Sequence, residues 1–248
     1  MVYYNEIDPF AVEWLAALIE DGLIAEGDID NRSITDVTPN DIKGYRQHHF
    51  FAGIGVWSYA LRQAGWPDDR SAWTGSCPCQ PFSAAGQGKG TADERHLWPA
   101  WFHLIRECRP RVVFGEQVEA AIRHGWLDLV QSDLEGEGYA VGKAVLSSRY
   151  AGFDDERPRL YFVADTGGAG RERPIAHHGL LGGAQAPLSE HDNGSPRGRS
   201  ALESRVRRLL PRNGTSVSVE RSALRCYGNA INAEVAQAFI RAYCEVSG

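Results

Sequence analysis

His49-Phe50-Phe51-Ala52-Gly53-Ile54-Gly55 reads as a strand running into a glycine turn, with a helix following over Trp57 to Ala64 and closed by Gly65 and Pro67. Strand, Gly-x-Gly, helix is a nucleotide-type architecture, because the glycines let backbone N–H groups and the helix N-terminus come close to a ligand. Residues 71–76 form the next strand. It leads into Gly75-Ser76-Cys77-Pro78-Cys79-Gln80-Pro81-Phe82-Ser83, a Gly/Pro-rich turn that carries two cysteines. In open α/β sheets ligands bind outside the carboxyl ends of the strands, which is where this turn falls.

The pattern extends in both directions. Upstream, Val2 to Asp8 reads as a strand ending in acids, Phe10 to Glu20 as a helix begun by Pro9 and ended by Gly22, and Ile24 to Ile29 as a second strand. Asn31 to Gly44 is polar and reads as a connection with at most one helical turn. Downstream, the spacing predicts a helix over Leu97 to Glu107, stopped by Pro110, and a buried strand over Arg111 to Glu116 with a carboxylate at its end. A glycine-broken helix over Ala120 to Glu137, strands over Tyr139 to Leu146 and Arg159 to Ala164, and a final helix over Ala230 to Tyr243 complete the series. Alternating strands and helices predict an α/β, doubly wound, Rossmann-like sheet. Residues 165–220 offer no element beyond a short helix at 201–210.

The chain has 248 residues, 43% of them hydrophobic, enough for one cored domain with a small appendage. No apolar run approaches the roughly 18 residues of a membrane span, and Met1 to Glu6 lacks the basic region of a signal peptide. Five cysteines, at 77, 79, 108, 226 and 244, are sparse and odd in number, which fits a reduced, cytoplasmic protein better than a disulfide scaffold. The spacing of Cys77 and Cys79, without a second pair, does not suit structural zinc, and no metal is expected. His48-His49 and His177-His178 do not read as ligands. The net charge of −6 excludes a uniformly basic nucleic-acid binder. Yet residues 166–225 hold ten arginines against five acids, so that segment is +5 and the remainder −11. A basic module on an acidic body suits a local phosphate-binding face.

Taken together, five stretches resemble the cytosine-C5 DNA methyltransferase family. Phe51-Ala52-Gly53-Ile54-Gly55 resembles its S-adenosylmethionine-binding turn and Pro78-Cys79-Gln80 its nucleophile motif. Glu116-Gln117-Val118 stands where the family has Glu-Asn-Val, and Glu156-Arg157-Pro158-Arg159-Leu160-Tyr161 resembles its Gln-x-Arg-x-Arg segment. Gly228-Asn229-Ala230-Ile231 resembles its Gly-Asn-x-Val segment. The family's ribose-holding acid and its Gly-Asp-Ile ordinarily follow the glycine turn. Only about 23 residues separate Gly55 from Cys79, too few for two strands and a helix. Asn5-Glu6-Ile7-Asp8 and Gly27-Asp28-Ile29 resemble those two pieces, so the cofactor half reads as permuted, its outer strands coming first.

The resemblance implies a compact, phage-like enzyme, a monomer acting on double-stranded DNA in a bacterial or phage-infected cell. It implies a catalytic and cofactor-binding domain over 1–165, completed by 226–248, with 166–225 as a small target-recognition segment. Cys79 is the implied nucleophile at cytosine C6, Glu116 the partner of N3 and the exocyclic amine, and Arg157 and Arg159 the supporting cations. S-adenosylmethionine would lie against Phe51, Ala52, Gly53, Ile54, Gly55, Glu6, Ile7, Asp28, Ile29, Pro78 and Asn229. Gln80, Ser83, Gln87 and Lys89 would support a cytosine flipped from the duplex. Departures from the pattern (Val56 after Gly-Ile-Gly, Gln117 for Asn, Asp155 for Gln) leave three alternatives open. These are transfer from carboxy-S-adenosylmethionine to give 5-carboxymethylcytosine, RNA cytosine methylation, and a catalytically silent DNA-binding regulator.

Overall fold

Val2-Tyr3-Tyr4-Asn5 is buried along its whole length, as a strand covered on both faces must be. It is β1 (Val2–Asn5) of a seven-stranded sheet in a computed structural model that describes residues 1–78, 97–151, 157–167 and 230–247. The other strands are β2 (Gly27–Asp30), β3 (Gln47–Phe50), β4 (Ala72–Gly75), β5 (Val112–Val118), β6 (Ala140–Ser147) and β7 (Pro158–Asp165). Their order is β2-β1-β3-β4-β5-β7-β6. The first five run parallel, and β7 pairs antiparallel with both β5 and β6. This is the α/β, Rossmann-like sheet that the alternation predicts.

Helices cover both faces. On one lie α1 (Pro9–Glu20), α2 (Val56–Gln63) and the final helix α6 (Ala233–Ser247); Trp14, Leu15, Leu18, Trp57, Leu61 and Ile240 pack there with Tyr4 and Phe114. On the other, α3 (Trp98–Cys108), α4 (Ala120–Arg123) and α5 (Trp126–Gly136) bring Trp98, Trp101, Leu104 and Trp126 against Tyr3, Phe50, Trp73 and Phe162. Adjacent residues of one strand, Tyr3 and Tyr4, thus serve opposite cores, as the two-residue strand period requires. Among the described residues no helix is long and apolar enough to cross a membrane.

The local chemistry explains the element ends. Asp8 caps α1, its carboxylate accepting from the N–H groups of Phe10 and Ala11, with Pro9 in the first turn. Gly55 begins α2 at φ +79°, and a Cβ there would lie 3.1 Å from Leu15 Cδ2, so the turn is closed to larger residues. The final helix begins at Ala233, three residues later than the sequence suggests, because the Asn232 side chain accepts from the Val235 N–H and sets the cap there. β5 continues two residues past Glu116, since antiparallel β7 pairs along it to Val118 after parallel β4 has ended. β2 starts at Gly27, not Ile24. Ile24 and Ala25 turn into the core instead, and the Ala25 N–H is satisfied by Ser58 Oγ.

The register of the sheet builds a rim. Asp30, Asn5, Phe50, Gly75 and Gly115 lie side by side in the last full row of parallel pairing. The next residues along β1, β3, β4 and β5 are Glu6, Phe51, Ser76 and Glu116, so four separate strands deliver them to the same edge. Gly75 is required in that row, because a Cβ would sit 2.6 Å from the Trp101 ring carbons. Gly75→Ala should therefore lower stability by about 1–3 kcal/mol through overpacking. Urea unfolding monitored by tryptophan fluorescence measures it, and an unchanged midpoint would refute the tight fit.

Candidate active site

The rim has an acidic end and a buried end. At the first, Glu6 Oε2 accepts from the Gly53 N–H at 2.7 Å and Oε1 accepts from the Asp8 N–H at 2.8 Å. One carboxylate therefore joins the β1 exit to the glycine turn of β3. Ile7, the next residue, is 65% exposed, an apolar side chain open to solvent beside that acid. Phe51 holds φ at +52°, the left-handed region that non-glycine residues rarely occupy, and packs edge-on against Trp101. Such strain is found where surrounding structure enforces it, often at ligand sites.

Asn5 steadies the neighbouring strand, its side-chain amide donating to the carbonyls of Asp30 and Arg32. Arg32 grips Asp30 through both carboxylate oxygens and, with help from the Tyr3 hydroxyl, brings its carboxyl down to about 2. Asp28 lies two residues back from the rim, opposite Tyr3, with its carboxylate accepting from the Tyr45 hydroxyl at 2.7 Å. Ile29 packs partly buried against the α1–α2 core.

At the buried end stands Glu116. Its carboxylate is 3.1 Å from Arg159 Nε, across the β5–β7 pair, and Ser76 stands beside it in the register of β4 and β5. Burial pushes the Glu116 carboxyl up to about 7 despite Arg159, Ser76 and Arg157, which all favour the ionised form. The result is an acid able to take or give a proton near neutrality. Arg157 donates to the Ala230 carbonyl at 2.8 Å, tying the approach to β7 to the start of the C-terminal segment. The strand leading to Pro78 is also held: Gln117 Nε2 donates to the Cys77 carbonyl at 3.3 Å, while its Oε1 accepts from the Val118 N–H. Pro78 is exposed at the end of this segment.

The structure thus gathers Glu6, Ile7, the turn Phe51–Gly55, Pro78, Glu116 and Arg159 along one edge, with Arg157 behind them. Cys79, Gln80, Ser83, Gln87, Lys89 and Asn229 lie outside the described residues, as does nearly all of 166–225. His48 and His49 are buried in β3 on its two sides, where desolvation lowers them to about 4 and about 3. Sequence reasoning missed Ser76 and Trp57, whose indole N–H donates to Ser76 Oγ at 3.1 Å. No local pattern signals a contact between a helix residue and a strand exit 19 residues on.

Residues 1–177 match the model of the C-5 cytosine-specific DNA methylase family, well over half of the chain. The chain belongs to that family. Among curated methylases it is similar to the type II methyltransferase M.NlaX of Neisseria lactamica, 28% identical over 166 residues, covering 65% of this chain and 43% of that protein. It is also similar to the type II methyltransferase M.BanI of Aneurinibacillus aneurinilyticus, 34% identical over 94 residues (36% of this chain and 22% of the other). The orphan methyltransferase M.SPRI of Bacillus phage SPR is 30% identical over 93 residues, 36% of this chain and 21% of that one. The chain therefore spans under half the length of these relatives. Among solved structures, the Entamoeba histolytica methyltransferase EhMeth aligns at a TM-score of 0.45 and 15% identity, covering 66% of this chain and 44% of that one.

Glu116 makes the stability of this methylase domain pH-dependent. Its carboxyl is near 4.5 in an ordinary setting and about 7 when folded, so between those values the folded state holds a proton the unfolded state has lost. The stabilisation is complete below pH 4.5 and is lost as pH rises through 7. Glu116→Gln cannot titrate. Its stability relative to the native chain should rise by on the order of 3 kcal/mol between pH 4 and pH 8. Denaturant unfolding at both pH values measures this, and a constant difference would show that Glu116 is not held protonated.

Proposed function

We propose that this chain transfers a methyl group from S-adenosylmethionine to C5 of a cytosine flipped out of double-stranded DNA, with Cys79 as the covalent nucleophile. The observation that carries this reading is Glu116. It is a buried carboxyl near neutrality, ion-paired to Arg159, on the same rim as the Glu6-bound glycine turn. Membership in the C-5 cytosine-specific family supplies the chemical frame.

The chemistry gives each residue a task. Cytosine C5 is a poor nucleophile. Addition of the Cys79 thiolate to C6 turns the ring into an enamine, and the negative charge that develops at N3 is met by a proton from Glu116. Arg159 keeps the carboxylate in place once that proton has left. S-adenosylmethionine, when bound, supplies an electrophilic methyl on a sulfonium sulfur. Glu6 and Ile7 suit that donor, offering a fixed carboxylate for ribose hydroxyls beside an apolar surface for the adenine. The turn Phe51–Gly55 lies against it, with Asp28 and Ile29 on the outer strand and Pro78 and Asn229 completing the cradle. After transfer the N3 proton returns to Glu116, a base removes the C5 proton, that electron pair re-forms the C5–C6 double bond, and the C6–sulfur bond breaks to release Cys79 as thiolate. Gln80, Ser83, Gln87 and Lys89 support the flipped nucleotide, and the arginines of 166–225 contact phosphates. The permuted domain reading fits the strand order, in which β1 and β2 flank the glycine-turn strand on its outer side.

Incubating the purified chain with duplex DNA and S-adenosylmethionine should yield 5-methylcytosine in hydrolysed nucleosides, read by mass. Cys79→Ala should reduce the rate by at least about 10³-fold, and Glu116→Gln by about 10²-fold. Parallel reactions with carboxy-S-adenosylmethionine and with RNA test the other donor and the other substrate. Full activity in Cys79→Ala would overturn the covalent route. Unchanged S-adenosylmethionine affinity in Glu6→Gln would remove Glu6 from the cofactor site.

A further inference from the structure

Trp57 and Ser76 are hydrogen-bonded to each other beside Glu116. Trp57 lies on α2, the helix that begins at the glycine turn, and its ring is held in the core by Phe114 and Tyr161. Its indole N–H donates to Ser76 Oγ at 3.1 Å, and the pairing of Gly75 with Gly115 sets Ser76 beside Glu116, where its hydroxyl favours the ionised carboxylate. An indole nitrogen only donates, whereas a serine hydroxyl has one hydrogen and two lone pairs. With a donor already on its oxygen, Ser76 directs its own hydrogen at Glu116.

We infer that Trp57 and Ser76 are positioning residues for Glu116: the indole fixes the serine hydroxyl as a donor, and that donor holds the carboxyl in one orientation toward the reacting base. The inference rests on the reading of Glu116 as the residue that faces cytosine. Among the described residues, the charged and titratable groups facing Glu116 are Arg159 and Tyr161 from β7 and Arg157 just before it. The arginines stabilise the ionised form by charge, and Ser76 does so by hydrogen bonding. Without the hydroxyl, burial would keep the proton on Glu116 to higher pH and weaken its coupling to proton exchange near neutrality. The same contacts connect the cofactor helix mechanically to the acid, through the last turn before Cys77 and Pro78.

The test is a carbon-13 titration of glutamate side chains in the whole protein, with the Glu116 resonance identified by its loss in Glu116→Gln. Ser76→Ala should move the Glu116 midpoint up by about one pH unit, the equivalent of one hydrogen bond to a charged group. Ser76→Thr keeps the hydroxyl and should leave the midpoint in place. Trp57→Phe should raise the midpoint as well, because the freed hydroxyl can then accept from the protonated carboxyl. The double variant should go no higher than Ser76→Ala alone. An unmoved midpoint in folded Ser76→Ala overturns the inference, as do additive shifts in the double variant. The titration needs no turnover, so it stands apart from the functional reading. Absence of 5-methylcytosine from the native chain would overturn that reading with the midpoint shifts intact. Normal methylation with an unmoved midpoint would overturn only the role of Trp57 and Ser76.

Discussion

The site depends on the register of the parallel strands. Asn5, Phe50, Gly75 and Gly115 occupy one row, so Glu6, Phe51, Ser76 and Glu116 reach the carboxyl edge together. A slip of one residue in any of these strands would reverse its side chains between the two cores and remove its contribution to the rim. The cores forbid the slip. Tyr3 and Tyr4, or Val113 and Phe114, are each committed to opposite helical layers. Hydrophobic packing, which knows nothing of chemistry, thereby fixes which polar residue emerges at the end of each strand. The glycines at 75 and 115 belong to the same constraint, since Trp101 and Phe162 fill the space their side chains would take.

The order of the strands has a further consequence. The connection from β1 to β2 moves outward with α1 on one face, and that from β3 to β4 moves inward with α2 on the same face. Two parallel crossovers that run in opposite directions over one face have opposite hands. The β4-to-β5 connection, inward with α3 on the far face, shares the hand of the first. The α2 helix is tied down on both flanks. Arg62 reaches the Gly22 carbonyl after α1, and Gln237 and Arg241 of α6 reach the Gln63 carbonyl at its end. Placing the acid-bearing strands ahead of the glycine turn leaves Glu6 bound to Gly53 across β1 and β3.

Much of this was legible in the sequence, because strand length, helix period and turn chemistry are local. The glycine turn and the Pro9 helix start both stand where the residues place them. Three features were not legible, for the same physical reason. Asp28 resembles a rim residue, yet the strand runs on to Asp30, and only pairing with Asn5 reveals where the edge falls. Glu116 reads as a strand-end acid, whereas its near-neutral carboxyl arises from burial against β7 and cannot be seen in a linear pattern. Ser76 looks like a turn serine until Trp57 is brought beside it.

Gln117 shows how a departure from a family pattern can be absorbed. A primary amide donates at one end and accepts at the other. Here both ends are used, the nitrogen on the Cys77 carbonyl and the oxygen on the Val118 N–H. The donor arm reaches across from β5 to the backbone that precedes Pro78 and the proposed nucleophile. Ser76, one residue earlier, is held by Trp57. Two successive residues of this exit are therefore anchored from different elements, one by α2 and one by β5. Pre-organisation of that kind lowers the entropy lost when a reacting group must meet its substrate in one geometry. The longer glutamine side chain at 117 is thus compatible with a working nucleophile loop, because what the position supplies is a fixed pair of hydrogen bonds to backbone.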